Sequence, residues 1–207
     1  MTLIRQLRPA LVIFGFLSLL TGLLYPLSMT AISSVLMPDK AAGSLVHDGK
    51  RTVGSVLIGQ NFTQSRYFHG RPSATIGTDP ADPTKTVSTP YNAAASVGSN
   101  ASPTSKALVE HVASAIAQLK AENPEAVATG LSIPMDLVTT SASGLDPDIS
   151  PQAAYFQIKR IARARNLPEE MVRQLVEHMI EHPLMGWLGE PHLNVLKLNM
   201  ALDSLHR

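Results

Sequence analysis

The stretch RPALVIFGFLSLLTGLLYPLSMTAISSVLMPD, residues 8–39, decides how this chain is organised. Between Arg8 and Asp39 it runs for 30 residues without a charged side chain, and it stays strongly apolar up to about Leu24. About 20 residues of apolar helix are enough to cross the hydrocarbon core of a bilayer. The run therefore predicts one transmembrane helix, which we place at residues 10–36.

The charges on either side of this run predict its orientation. Arg5 and Arg8 precede it, whereas the first two charges after it cancel. Because positive charge stays on the cytoplasmic side of a membrane helix, residues 1–9 are expected in the cytoplasm. Residues 37–207 are expected outside it, as one soluble domain.

A cleaved signal peptide is the alternative, with residues 1–8 as its basic leader and Met29-Thr30-Ala31 as a poor cleavage site. The apolar part of a signal peptide has roughly 7–15 residues, and this run is longer. We therefore expect a retained membrane anchor.

Small residues lie along one face of the predicted anchor. Gly15, Ser18 and Gly22 are spaced at i, i+3 and i+7, and small side chains let another membrane helix approach closely. The alternative is that glycine and serine are simply common in membrane helices. Pro26 is expected to kink or end the regular helix near the outer interface.

The composition restricts what the part beyond the anchor can be. The chain has 207 residues, which leaves room for one domain of ordinary size. Of its 17 basic residues, 15 remain without the two arginines before the anchor, against 16 acidic residues. This balance argues against nucleic acid as a partner. The chain has no cysteine, so disulfides and thiol chemistry are excluded.

The pattern beyond the anchor predicts an α+β domain of short strands and about four helices. Residues 43–105 are rich in turn-forming residues, with β-like runs such as Thr52–Ile58. Thr75–Pro90 has almost no apolar residues and is expected to be a surface loop. Helical periodicity and end signals predict helices at Thr104–Glu122, closed by Pro124; Pro151–Arg165, with Ser150 as N-cap; from near Pro168 through His182, ended by Pro183; and Val195–Leu205.

Most catalytic patterns fail on inspection, and the most specific one present is His178-Met179-Ile180-Glu181-His182. It satisfies the H-x-x-E-H pattern of zinc peptidases and would place two histidines on one helical face. Zinc chemistry needs a third ligand, and Pro183 ends the helix directly after the second histidine. A membrane-anchored extracytoplasmic zinc hydrolase, or an independent binding module, is therefore the alternative function. No catalytic or metal-binding residue is assigned.

Several turns of the chain are unusually rich in glycine, asparagine and aspartate. Asparagine and aspartate bond back to their own chain and glycine adopts positive φ, while an arginine beside glycine and proline often pins a loop to carbonyls or a carboxylate. These features indicate structured turns and, on their own, no function. The candidate contact residues in them are Gln60, Asn61, Arg71, Asn92, Asn100 and Asp146.

At these turns the chain resembles a known family, the C subunit of the Kdp potassium-transporting ATPase of bacteria and archaea. The resemblance covers nearly the whole chain and consists of separate motifs in the same order. Val97 and Ala101 depart from the family pattern, where a second glycine and a leucine are usual. The motifs are Arg-Pro-Ala (8–10), Tyr25-Pro26-Leu27, GSVLIGQNF (54–62), YFHGRPSA (67–74), Tyr91-Asn92, GSN (98–100), DLVTTSASGLDPDIS (136–150), Ala153-Ala154, Gln157, Arg160, Ala162, ARNL (164–167) and NVLKLNMALD (194–203).

The resemblance implies that the chain is a non-catalytic, accessory subunit of a four-part pump in the bacterial inner membrane. The implied partners are a potassium-selective channel-like subunit, a phosphorylated P-type ATPase subunit and a small single-span subunit. Potassium is then the ion that the complex transports, and no cofactor is expected to bind this chain firmly. The bulk of the chain, residues 37–207, is expected in the periplasm.

The resemblance also implies a role in assembly or stability, and a proposed role as a catalytic chaperone that raises the ATP affinity of the ATPase subunit. A glutamine after the Ser-Gly-Leu-Asp-Pro motif is linked to that idea. Gln152 and Gln157 are the candidates, and the alternative is that they are helix-surface or packing residues. A domain outside the cytoplasm cannot touch ATP, but it can change nucleotide affinity by favouring one conformation of the pump.

Overall fold

The N-terminal part of the structure is one long helix. The computed structural model describes residues 2–205. Helix α1 (Thr2–Leu19) passes through a π-helical turn (Leu20–Leu24) into α2 (Tyr25–Leu36). From Arg5 to Leu36 the helix has 32 residues, is apolar enough to cross a membrane, and is not buried in protein. The apolar N-terminal helix predicted from the sequence is confirmed.

The irregularity expected at Pro26 takes the form of the π turn just before it, and the helix does not end there. The N–H of Tyr25 bonds to the carbonyl of Leu20, five residues back. A proline ring clashes with the carbonyl four residues earlier, and a wider turn relieves such crowding. The helix therefore continues to Leu36.

Hydroxyl side chains of the anchor bond to the anchor's own backbone. Thr21 Oγ1 donates to the carbonyl of Leu17, four residues back, at 2.7 Å. The hydroxyls of Ser28, Thr30 and Ser34 make the same contact at 2.6, 2.9 and 2.8 Å. Because an unsatisfied polar group in hydrocarbon costs several kcal/mol, these bonds make the more polar second half of the anchor compatible with lipid.

A short helix and a hairpin complete the first compact unit of the chain, which ends at Ser55. Its elements after the anchor are α3 (Pro38–Ala41), β1 (Leu45–Asp48) and β2 (Arg51–Ser55), and the two strands pair antiparallel. The strand predicted at Thr52–Ile58 is therefore shorter than expected. The chain has already left the hairpin at Gly59, whose N–H bonds to the carbonyl of Leu145 at 2.8 Å.

The second compact unit begins at Val56 and is an α+β domain. Its strands form two short antiparallel pairs, β3 with β4 and β5 with β6. The predicted fold class, an α+β domain after one N-terminal apolar helix, is confirmed. The elements are β3 (Ile76–Thr78), β4 (Thr86–Ser88), α4 (Lys106–Glu122), α5 (Pro124–Ala128), a 3₁₀ turn (Met135–Leu137), β5 (Asp148–Ile149), α6 (Pro151–Arg165), α7 (Glu169–Met179), β6 (Leu193–Asn194) and α8 (Val195–Ser204).

The core of this domain forms where α7 packs against both α6 and α8. One of its members, Phe68, comes from an irregular segment rather than from a helix or strand, and full burial of such a side chain stabilises by roughly 1.5–3 kcal/mol. Burying Phe68 therefore fixes the polar turns on either side of it. The apolar side chains with no exposed surface are Phe68, Ala153, Ala154, Ile161, Val172, Val176, Leu193, Leu198 and Leu202.

The ends of α6 lie where the sequence predicts them. Ser150 Oγ accepts the N–H of Ala153 at 3.1 Å, and Pro151 occupies the first helical position. Asn166 ends the helix in the left-handed conformation, with φ of 54°, which asparagine tolerates better than most residues. The other three predicted helices form as α4, α7 and α8. Helix α7 ends at Met179, three residues before the predicted end at His182, and the other ends lie within two residues of the predicted ones.

One prediction for an irregular segment is wrong. Thr75–Pro90 is not only a loop, because Ile76 pairs with Ser88 and Thr78 with Thr86 in the β3–β4 ladder. Pro124 closes α4 as predicted, and it is also the first residue of α5. Proline lacks only an N–H that is unbonded at a helix start anyway, so one proline serves both roles.

The N-cap of α6 can be tested with a matched pair of serines. Ser150→Ala removes the side-chain acceptor that caps the first turn and should lower the free energy of unfolding by about 1 kcal/mol. Ser105 precedes α4 but makes no capping bond through its side chain, so Ser105→Ala should change it by less than about 0.5 kcal/mol. Urea unfolding of the full-length protein in detergent, followed by circular dichroism, measures both. Equal losses would contradict the capping role.

Candidate functional site

An ion pair joins two of the polar turns noted in the sequence. Arg71 Nη1 lies 3.0 Å from Asp146 Oδ2, and these side chains are 26% and 28% exposed. Arg71 Nη2 also donates to the carbonyl of Thr140 at 3.3 Å. Asp146 Oδ1 accepts the N–H of Asp148 at 3.1 Å. Two of the candidate residues, 75 positions apart in the sequence, therefore hold each other in place.

Tyr91 packs against the same two turns. Its hydroxyl donates to the carbonyl of Arg71 at 2.6 Å, and its N–H donates to Ser73 Oγ at 3.0 Å. A Cβ at Gly59 would lie 2.4 Å from the Tyr91 ring, so this approach requires glycine. Burial, and then the nearby charge of Asp146, raise the pKa of Tyr91 to about 12. The phenol therefore remains a hydrogen-bond donor at neutral pH.

Two hydroxyl side chains connect the remaining turns. Ser73 Oγ donates to the carbonyl of Gly144 at 2.7 Å. Thr75 Oγ1 donates to the carbonyl of Thr89 at 2.6 Å and accepts the N–H of Asn92 at 3.0 Å. Sequence reasoning did not select Ser73 or Thr75, although Ser73 lies inside the motif YFHGRPSA and Thr75 directly follows it.

The other candidate residues have more local positions. Asn92 Nδ2 donates to the carbonyl of Ile76 at 2.7 Å and so holds the start of β3. Asn100 is exposed, and its Nδ2 donates to a carbonyl two residues back at 3.3 Å. Gln60 is half-buried and Asn61 is exposed. The structure thus brings Arg71 and Asp146 together and leaves Asn100 at the surface.

A cleft of about 370 Å³ lies between these turns and α4, and we call it the α4 cleft. Asn61, Arg71 and Tyr91 line one side, and α4 supplies residues such as His111 and Glu122 on the other. A second hollow of about 280 Å³ shares Glu122 with it and extends toward α6. The lining combines amide, imidazole, carboxylate and guanidinium groups, which suits recognition of a polar surface.

His69 lies where the α4 cleft and the second hollow share lining residues. Its Nδ1 is 3.4 Å from Glu122 Oε2, and its Nε2 is 3.0 Å from the carbonyl of Gln64 and 3.4 Å from Arg160 Nη1. Burial first, and then the charge of Arg160, lower the pKa of His69, while Gln64 and Glu122 oppose the shift. This lowering favours the neutral imidazole at neutral pH.

Below the cleft, two buried side-chain amides bind the main chain at Phe68 and His69. Gln157 Oε1 accepts the N–H of His69 at 2.8 Å, and its Nε2 donates to the carbonyl of His69 at 3.1 Å. Asn199 makes the same pair of contacts with Phe68, at 2.8 and 3.0 Å. Gln157 and Asn199 are 0% and 1% exposed. We call this arrangement the amide clasp.

The two glutamines singled out from the sequence therefore have different environments. Gln157 also accepts a hydrogen bond from Arg160 Nη2 at 2.6 Å and donates one to the carbonyl of Ala153 at 3.2 Å. Its side-chain groups are thus occupied inside the domain, as expected of a packing residue. Gln152 is exposed on the first turn of α6.

Comparison with known proteins identifies the family to which this chain belongs. The sequence profile described as "KdpC: K+-transporting ATPase, c chain" matches residues 7–204. The chain belongs to the KdpC family. Proteins named potassium-transporting ATPase KdpC subunit are 57% identical in Rhodopseudomonas palustris, over 98% of both chains. The corresponding values are 57% in Bradyrhizobium diazoefficiens, over 97% of this chain and 98% of the relative, and 58% in Methylorubrum extorquens, over 98% of both.

Three of the motifs on which the KdpC resemblance rests meet in the hydrogen-bond network just described. YFHGRPSA supplies Phe68, Arg71 and Ser73, Tyr91 begins the Tyr-Asn motif, and Asp146 belongs to the Ser-Gly-Leu-Asp-Pro turn. They are far apart in the sequence and in contact in the fold. These three motifs therefore form one surface, held together by hydrogen bonds and lying next to the α4 cleft, and we call it the rigid surface.

The zinc-peptidase geometry considered from the sequence does not form. Helix α7 ends at Met179, so His178 lies in its last turn and His182 lies beyond it. Glu181 instead pairs with His192 in an antiparallel bridge, with N–H···O distances of 2.8 and 3.1 Å. Among residues 2–205, no three histidine, aspartate or glutamate side chains are arranged to hold a metal ion. The prediction that both histidines share a helical face is wrong.

The amide clasp can be tested with two glutamines of one helix. Gln157→Leu leaves the N–H and carbonyl of His69 without these partners, and buried unsatisfied groups cost roughly 1–3 kcal/mol each. The free energy of unfolding should fall by about 2–4 kcal/mol in urea titrations of the full-length protein. Gln152→Leu, at the exposed position, should change it by less than about 0.5 kcal/mol. Similar values for both variants would rule out the clasp as a source of stability.

His69 makes a pH dependence testable. Because its folded-state pKa lies below 6.5, the unfolded chain binds a proton that the folded chain does not as the pH falls through 6.5. The free energy of unfolding should therefore decrease as the pH falls through this range, and His69→Gln should make it depend less steeply on pH. His111→Gln, at an exposed position of α4, is the matched control. The test is to measure unfolding midpoints at several pH values. If the midpoint of His69→Gln changes with pH as steeply as that of the unchanged protein, His69 is not the source of the pH dependence.

Proposed function

We propose that this chain is a non-catalytic accessory subunit of a potassium-transporting ATPase complex. The observation that carries the proposal is the match to the KdpC family from residue 7 to residue 204. The relatives are named as subunits of such an ATPase. Potassium is then the cargo of the complex, and no cofactor is proposed to bind this chain firmly.

The proposed topology is a single pass through the bacterial inner membrane. Residues 10–36 span it, residues 1–9 lie in the cytoplasm and residues 37–207 in the periplasm. The apolar helix from Arg5 to Leu36 supports the span, and the two arginines at its start support the orientation. A methyl group added at Gly15 or Gly22 would meet no atom within 4 Å beyond the neighbouring backbone of its own helix, which leaves room for another membrane helix at the face that they form with Ser18.

The proposed partners are the potassium-selective channel-like subunit, the P-type ATPase subunit and the small single-span subunit of the same complex. We assign the rigid surface beside the α4 cleft to contact with the outer face of the potassium-selective subunit. Its backbone is fixed by internal hydrogen bonds, so little conformational entropy is lost on docking. Asn61, exposed at the edge of the cleft, is placed to make such a contact.

The proposed effect on ATP affinity is indirect. A periplasmic domain has no access to cytoplasmic ATP, and Gln157 is occupied inside the domain. A subunit that binds one pump conformation more tightly than another shifts the equilibrium between the two conformations. If these conformations differ in affinity for ATP, the apparent ATP affinity of the pump changes as well. Of the two candidate glutamines, only the exposed Gln152 is accessible to a partner, and its contact would be with a subunit rather than with nucleotide.

A single introduced cysteine tests topology and docking together, because the chain contains no cysteine of its own. Asn61→Cys should react in intact cells with a membrane-impermeant maleimide. A photocrosslinker attached there should capture the potassium-selective subunit, and the tagged chain should co-purify with potassium-stimulated ATPase activity.

Glu177→Cys, exposed on α7, is the matched control. It should also react with the maleimide, because it lies in the same domain, but it should not crosslink at the same yield. Labelling only after cell lysis would overturn the topology. Purification of the chain without an ATPase would overturn the proposed function, and equal crosslinking at both positions would overturn the docking surface.

A further inference from the structure

A turn after α7 exposes four large apolar side chains side by side. The sequence from residue 183 to residue 189, PLMGWLG, contains no charge, and we call it the apolar tip. Leu184, Met185, Trp187 and Leu188 are 65%, 78%, 74% and 54% exposed. Scattered exposed apolar residues are normal, whereas a contiguous group marks a contact surface.

The tip is held in one conformation rather than left as a loose loop. The N–H of Leu188 donates to the carbonyl of Leu184, and that of Gly186 to the carbonyl of Pro183, both at 3.0 Å. Met185 and Gly186 both have positive φ, of 56° and 79°, as in the tight turn of a β-hairpin.

The base of the tip is fixed to the helical core. Glu181 and His192 bridge across it, and Lys197 Nζ of α8 lies 2.8 Å from Glu181 Oε1. The apolar side chains therefore stand on a rigid support, and no rearrangement is needed before they meet an apolar phase.

We propose that the apolar tip inserts into the interfacial region of the bilayer that holds the chain's own anchor. Tryptophan and leucine are favoured at that depth. The domain begins at Val56, about 20 residues after the anchor ends at Leu36. Because the anchor ties the domain to a bilayer, the effective concentration of lipid for a second contact is high. Four side chains are also far fewer than the roughly 20–30 residues that each side of a stable protein interface contributes.

The inference rests on the anchored topology proposed above, but not on the pump subunits. Its consequence is a second, reversible membrane attachment for the domain. A few interfacial apolar residues bind weakly by themselves and become effective when a covalent anchor makes the contact intramolecular.

Trp187 is the only tryptophan of the chain, so its fluorescence reports on the tip alone. The full-length protein is reconstituted into phosphatidylcholine–phosphatidylglycerol vesicles with and without lipids brominated on the upper acyl chain. Insertion by roughly 5–10 Å brings the indole to the bromines, and we expect about twofold quenching together with reduced quenching by acrylamide from water. Leu184→Ser with Leu188→Ser should weaken both effects.

The control places the single tryptophan at another exposed position of the same domain. Trp187→Phe combined with Val109→Trp places the single indole on α4, at a position that is 62% exposed, and it should be quenched by acrylamide but not by brominated lipid. Equal bromine quenching at both positions, or none at Trp187, would overturn the inference.

Vesicle flotation and carbonate extraction measure whether the anchor is integrated into the membrane, independently of the apolar tip. Protein that floats and resists carbonate, with no bromine quenching of Trp187, overturns the tip insertion and leaves the proposed pump subunit standing. Protein that carbonate releases overturns the anchored topology and the insertion with it.

Discussion

The main chain at Phe68 and His69 has no strand or helix to pair with, and its hydrogen bonds are made by the side chains of Gln157 and Asn199. A buried backbone N–H or carbonyl without a partner is costly, so these two amides are what allow an irregular segment to cross the core. The positions of residues 60–75 relative to α6 and α8 follow from this contact. The Arg71–Asp146 pair and the wall of the α4 cleft depend on it in turn.

This architecture explains how a domain with little sheet holds its shape. Its strand pairs are two or three residues long, too short to organise a fold by themselves. Side-chain hydrogen bonds connect the segments that strand pairing does not. The side chains that make them, each to the backbone of a distant turn, are those of Tyr91, Ser73 and Thr75. Loops fixed in this way present a backbone that is held in one conformation.

The helices could be read from the sequence because their signals are local. Ser150 followed by Pro151 marks one helix start, and apolar periodicity marks the others. The amide clasp could not be read, because its partners are 88 and 131 positions apart and a glutamine on a helix gives no sign of what it faces. The β3–β4 ladder was missed for another reason. Each of its strands has only three residues, which is too short for an alternation of apolar and polar residues to be detected.

Of the candidate residues, Arg71 and Asp146 were found because an arginine between glycine and proline, and an aspartate in a glycine-rich turn, are themselves local signals. Tyr91 was noted within a motif, but its role required the contact with Gly59 to be seen. The paired histidines were misleading because the pattern assumes a continuous helix. The chain leaves the helix at Met179 and pairs Glu181 with His192 instead.

The hydroxyl groups of the anchor have a consequence for how it recognises other membrane segments. Thr21, Ser28, Thr30 and Ser34 already donate to carbonyls of their own helix, so their protons are not free to bridge to a neighbour. At these four positions the anchor therefore offers a neighbouring helix its shape and not a hydrogen-bond donor.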